Sequence, residues 1–143
     1  MNKNIFKSIL AVLSGAAVVV VLSLGADAVM RMLHIFPPKG QSLIGFDRAF
    51  LFATIYRTLF GVLGSYITAR LAPDRPMGHA LVGGAIGFVL SILVTVATWN
   101  MGPAFGPHWY PVALIVLAMP QSGLGGKIRV MQLPPRAQGE NRA

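Results

Sequence analysis

Arg57 stands near the middle of the apolar stretch FDRAFLFATIYRTLFGVLGSYITARL, residues 46–71. A guanidinium in such a place has two uses. It pairs with a carboxylate and sets the register of two helices, or it lines a polar cavity and meets an anion or other substrate. Asp27 is the carboxylate best placed for the first use. Asp47 competes but lies on the same segment, and Asp27 has Arg31 as a second choice four residues on. Tyr56, Thr54 and Thr58 are near in sequence, but adjacent residues do not share a helix face.

Other chemistry is thin. No cysteine occurs, which removes thiolate nucleophiles and cysteine metal sites. The 4 Asp and Glu residues form no acid/base dyad. Of the 3 histidines, His34 and His108 fall at one boundary of the apolar zone and His79 at the other, and all read as interfacial. Ser122-Gly123-Leu124-Gly125-Gly126-Lys127 has the look of a phosphate loop, but Gln121 replaces the first glycine and Ile128 the Ser/Thr. It reads as a flexible helix end. No catalytic residue, cofactor or metal ligand is expected.

The elements that must position Arg57 follow from hydropathy. Hydrophobic residues make up 55% of the 143 and charged residues 11%, against about 25% charged in a soluble domain. Four apolar segments emerge, at about 8–33, 46–71, 78–99 and 109–126, each near the length that crosses a bilayer. The fold expected is all-α, a membrane bundle of four helices forming one domain over 1–133, with a mobile cytoplasmic tail over 134–143. Pro37-Pro38 is expected to end the first helix, and Pro73 and Pro76 to bound the second connection. The fourth segment is expected to be short and kinked by Pro120.

The first segment also fits a secretory signal, with Ala26-Asp27-Ala28 as an A-x-A match. We read it as an uncleaved helix, because the apolar core is long and helical patterning continues to Leu33.

The net charge of +8 sits beside and between the apolar runs. That placement orients membrane helices rather than binding nucleic acid. Eight Lys and Arg residues fall on the N-terminus, second connection and tail, against three on the first connection, which places both termini in the cytoplasm.

Spacing by four marks helix faces. Ala53, Arg57, Gly61, Ser65 and Ala69 share one line; Ala11, Gly15, Ser23, Asp27 and Arg31 share another; Gly83, Gly87 and Ser91 share a third. Small residues let backbones approach in lipid, so Gly15, Gly61, Ser65, Gly83, Gly87 and Ser91 are expected to be mutual packing contacts.

The run YRTLFGVLGSYITARLAPDRPMGHAL (56–81), with GPHWYPVAL (106–114), Pro120 and Gly125-Gly126-Lys127, resembles a family of small bacterial four-span membrane proteins of unknown function. The resemblance implies an inner-membrane location and helix number but no site. Size and span number are also similar to small multidrug-resistance exporters. Those carry a glutamate midway along their first helix, and here no acid precedes Asp27.

The function expected is a non-enzymatic accessory or structural membrane component. The alternative is a small oligomeric transporter or channel with Arg57 in an anion or substrate pathway. An enzyme acting on lipids or quinones ranks third, for want of a nucleophile, base or metal set. The partners expected are the lipid bilayer and a second copy or another membrane protein.

Overall fold

The computed structural model describes residues 3–135. Within them are four α-helices, α1 (Lys3–Met32), α2 (Asp47–Leu71), α3 (Pro76–Thr98) and α4 (Trp109–Met131), one short 3-10 turn (Pro103–Phe105) and no strand. All four helices are long and apolar enough to cross a membrane. Most of the expected tail lies outside the described residues.

The helix ends have separable causes. Ala72 precedes Pro73 and takes ψ 133°, the extended conformation that proline imposes on its predecessor, so α2 stops there. Pro76 opens α3, where a missing N–H costs nothing. The expected stop for α1 at Pro37-Pro38 is corrected: the helix ends at Met32. His34 takes a left-handed φ of 57°, its N–H donates to the Arg31 carbonyl, and the Ile35 N–H donates back to Met30. This is a Schellman cap with histidine in the place usually given to glycine.

The expected end of α4 near Gly126 is also corrected. The helix continues to Met131, 23 residues in all, with Pro120 inside it. Gly125 and Gly126 are buried against neighbouring helices, so packing holds a segment whose intrinsic helix propensity is poor.

The helices run alternately up and down. Ser8 of α1 meets His79 of α3, and Tyr66 of α2 meets Gln132 after α4, at the end that carries the N-terminus. Asp47 of α2 meets Trp109 of α4 at the other end. The interior is built from small side chains: Ala11, Ala49, Ala53, Ala69, Ala80 and Ala118 are buried, and Phe36 and Phe50 are the large exceptions. Val21, Leu24, Leu59, Leu93, Val96 and Val116 are each more than half exposed. Small inside and large outside is the arrangement lipid favours, since burying Leu between helices gains little over leaving it in acyl chains.

Close backbone approach joins the helices in pairs. Gly15 of α1 lies on Gly64 and Thr68 of α2. Gly61 of α2 lies on Gln121 of α4, and Gly125 of α4 on the Val62 carbonyl and Ser65. Gly84 of α3 lies on Ser122 and Ala118, and Gly126 on Met77 and Ala80.

At the end opposite the N-terminus, Phe36, Ala49, Phe50 and Ala53 form a small cluster, with Met30, Leu43, Tyr56 and Tyr110 packed around it. Phe50 meets Phe36 edge-on at 5.4 Å and Tyr110 at 4.8 Å between ring centroids. Gly106, at φ +85°, lets the loop before α4 lie on the Phe50 ring, where any side chain would be both strained and obstructed. This aromatic plug covers the site described next.

Candidate functional site: an arginine clasp between three helices

Asp27 lies five residues before the end of α1, and Arg57 lies ten residues into α2. Antiparallel packing brings them level. Arg57 Nη2 donates to Asp27 Oδ2 at 2.5 Å. The Tyr56 hydroxyl donates to the other carboxylate oxygen, Oδ1. The Arg57 guanidinium also lies over the Tyr110 ring of α4, 5.9 Å from its centroid, within reach of a cation–π contact. Three helices therefore meet on one charged group.

The arrangement is chemically economical. A carboxylate accepts at both oxygens, and here each receives one donor. Charge-assisted bonds of this kind are about twice as strong as neutral ones. The side chain of Asp27 is 17% exposed and that of Arg57 32%, so the pair is partly sheltered rather than deeply buried. Arg57 Nε is enclosed and has no partner among the described residues.

Tyr56 is the residue that sequence reasoning passed over. Adjacent positions point about 100° apart on a helix, which counts against a shared face. Asp27 sits in the groove between the two directions, and two long side chains converge on it from either side. Tyr110 carried no site signal in the sequence, yet its ring faces inward onto Phe50 and Arg57. Thr54 and Thr58 take no part, because each hydroxyl bonds the carbonyl four residues back.

The competing pairings resolve plainly. Asp47 accepts from Trp109 Nε1 at 2.8 Å, at the end of the bundle. Arg31 is exposed, and among the described residues the ion pair of Asp27 is with Arg57.

The three small-residue lines are not one mutual interface. The α1 line at Gly15 meets α2 along Gly64 and Thr68, whereas Gly61 and Ser65 of α2 turn to α4. On α3 the close contact is one residue away from the expected line: Gly84 touches α4, Gly83 makes only ordinary contacts at 3.9 Å, and a Cβ on Gly87 would meet nothing within 4 Å. Gly15, Gly61, Ser65, Gly83, Gly87 and Ser91 all line one crevice of about 270 Å³, together with Thr68, Gln121 and Ser122. Asp27 and Arg57 are not part of that lining.

The Ser122–Lys127 segment is helical, which corrects its reading as a flexible end. Ser122 Oγ donates to the Ala118 carbonyl at 2.7 Å, and Gly125 and Gly126 are packing contacts. The spacing-by-four rule applied to Ala118, Ser122 and Gly126 would have found this face.

His108 stacks on Trp99 at 4.3 Å and bonds its carbonyl. His79 bonds Ser8 Oγ through Nε2 at 2.8 Å and the Arg75 carbonyl through Nδ1 at 3.2 Å. Among the described residues no three His, Cys, Asp or Glu gather as metal ligands. The chain matches no protein-family model, no curated protein and no solved structure.

Proposed function

We propose that this chain is a non-enzymatic accessory component of the bacterial inner membrane, with both termini in the cytoplasm, that works by packing against a second copy or another membrane protein. The observation that carries this reading is the open position Gly87, in the line Gly83–Gly87–Ser91 on α3. Small residues at this spacing serve close helix approach, yet no helix of this chain fills the space in front of Gly87. A helix from outside the chain supplies what is missing.

The clasp supports the same reading from another side. Arg57 is engaged by Asp27, with Tyr56 on the same carboxylate and Tyr110 beneath the guanidinium, and it does not line the 270 Å³ crevice. Its role on this reading is architectural: it holds α1, α2 and α4 in register.

A second reading keeps the transporter alternative. The 270 Å³ crevice carries the hydroxyls of Ser65, Thr68, Ser91 and Ser122 and the amide of Gln121, polar groups at a depth where lipid offers none. In an oligomer such a crevice becomes part of a pathway.

The absence of native cysteine makes the test clean. Gly87→Cys is placed alone in the chain, in native membranes, and oxidised. Cross-linking at this position, with none from Gly123→Cys on α4, is the expected result. Failure of Gly87→Cys to cross-link to anything, with Gly87→Trp leaving assembly size unchanged, removes the packing reading. Anion flux into liposomes that disappears in Gln121→Leu, at the crevice, would favour the second.

A further inference from the structure

A second crevice, of about 450 Å³, opens between the N-terminal halves of α1 and α3, toward the end of the bundle where α1 begins. Its volume falls in the range of about 300–1,000 Å³ usual for small-molecule sites. Leu13, Val82 and Ile86 line its length, and all three are well exposed. Ser8, Arg75 and His79 stand at its mouth. From Arg75 to Ile86 is eleven residues of α3, about 16 Å of apolar wall below a cationic rim.

We infer that this crevice binds one anionic phospholipid, with the headgroup phosphate on Arg75 and an acyl chain along Leu13, Val82 and Ile86. Arg75 is exposed, and its guanidinium has no partner among the described residues. A planar guanidinium matches phosphate oxygens with two parallel donors. The Arg75 carbonyl accepts from His79 Nδ1 when that nitrogen carries the proton, and His79 Nε2 holds Ser8. This chain of contacts ties α1 to α3 at the rim and fixes the mouth.

Charge around the rim fits an anion. Lys3, Lys7, Arg70, Arg75, Lys127 and Arg129 lie at this end of the four helices, with Asp74 as the acidic residue among the described ones. A free phosphate would use the rim but not the wall. A polar ligand would leave the wall unused, and a zwitterionic lipid, though it too brings a phosphate to Arg75, would set its cationic group among the lysines and arginines of the rim. A charged headgroup joined to an acyl chain uses both, and that chemistry is abundant where the rim meets the bilayer surface.

The test is lipid retention by the full chain in detergent, read by native mass spectrometry after titration with phosphatidylglycerol or phosphatidylcholine. One phosphatidylglycerol should be retained in preference to phosphatidylcholine, and Arg75→Gln should cut that preference about fivefold, the worth of one basic residue at a membrane surface. Arg70→Gln, which removes a neighbouring charge outside the crevice, should leave it intact. Val82→Trp keeps every charge but fills the wall, and should lower retention of both lipids. It decides the matter even if Arg75→Gln does not fold. Equal retention of the two lipids overturns the proposal. So does an equal effect of Arg70→Gln and Arg75→Gln, which would mean diffuse attraction to the basic end. So does a thermal shift with sodium phosphate as large as that with phosphatidylglycerol, which would mean an anion site without an acyl chain.

Discussion

Tyr56 and Arg57, neighbours in sequence, hold the two oxygens of the same carboxylate, that of Asp27 on the preceding helix. Each donor alone would leave one oxygen of a sheltered carboxylate unmet. Together they satisfy it, and the Tyr110 ring lies against one side of the guanidinium.

That coupling is measurable. Breaking a buried ion pair costs about 3–5 kcal/mol, and partial exposure of both partners lowers the expectation here to about 1–3 kcal/mol for Arg57→Gln or Asp27→Asn. The double change should cost little more than either single change, because the penalty of each single is a charge left without its partner. Tyr56→Phe should cost about 1.5–3 kcal/mol, the worth of a hydrogen bond to a charged group. Reversible unfolding in mixed micelles reads all four variants. Additive losses from Arg57→Gln and Asp27→Asn would show that the two charges act separately.

The packing of α4 yields a sharper contrast between neighbouring glycines. A Cβ at Gly126 would lie 2.8 Å from Met77 Sδ and 2.9 Å from Ala80 Cβ, and at Gly125 it would collide with the Val62 carbonyl, whereas Gly123 has nothing within 4 Å. Gly125→Val should destabilise by about 1–3 kcal/mol through overpacking. Gly123→Ala should be neutral or gain up to about 1 kcal/mol from helix propensity. Thermal midpoints in detergent decide between this and a frayed helix end, in which all three glycines would respond alike.

The cap of α1 offers a stabilising change. His34 holds a left-handed backbone that costs an L-residue about 1–2 kcal/mol, and its side chain is exposed. His34→Gly should therefore stabilise by about 1 kcal/mol, and His34→Val should destabilise, since a β-branched residue is worse there. Unfolding in urea and detergent checks the order glycine, histidine, valine. The reverse order would mean that the imidazole contributes something its exposure does not suggest.

The sequence by itself determined the number of helices, the alternation of apolar spans with basic connections, and the need of Arg57 for a partner. Each is a local property. Hydropathy summed over one segment decides whether it crosses lipid, proline decides where α2 stops and α3 begins, and one buried charge requires another whatever the fold. Asp27 was legible as that partner because the lengths of α1 and α2 bring the two residues to a similar depth. What the tertiary structure decided is rotation, the angle through which each helix turns about its own axis. No local signal carries that angle, because it minimises contacts summed over three neighbours at once. It brought Tyr56 to the carboxylate beside Arg57 and turned Tyr110 inward. It moved the contact line of α3 from Gly83 and Gly87 to Gly84, and made Gly125 and Gly126 a packing face instead of a loose end. It also left Gly87 of α3 facing open space, where the proposed partner belongs.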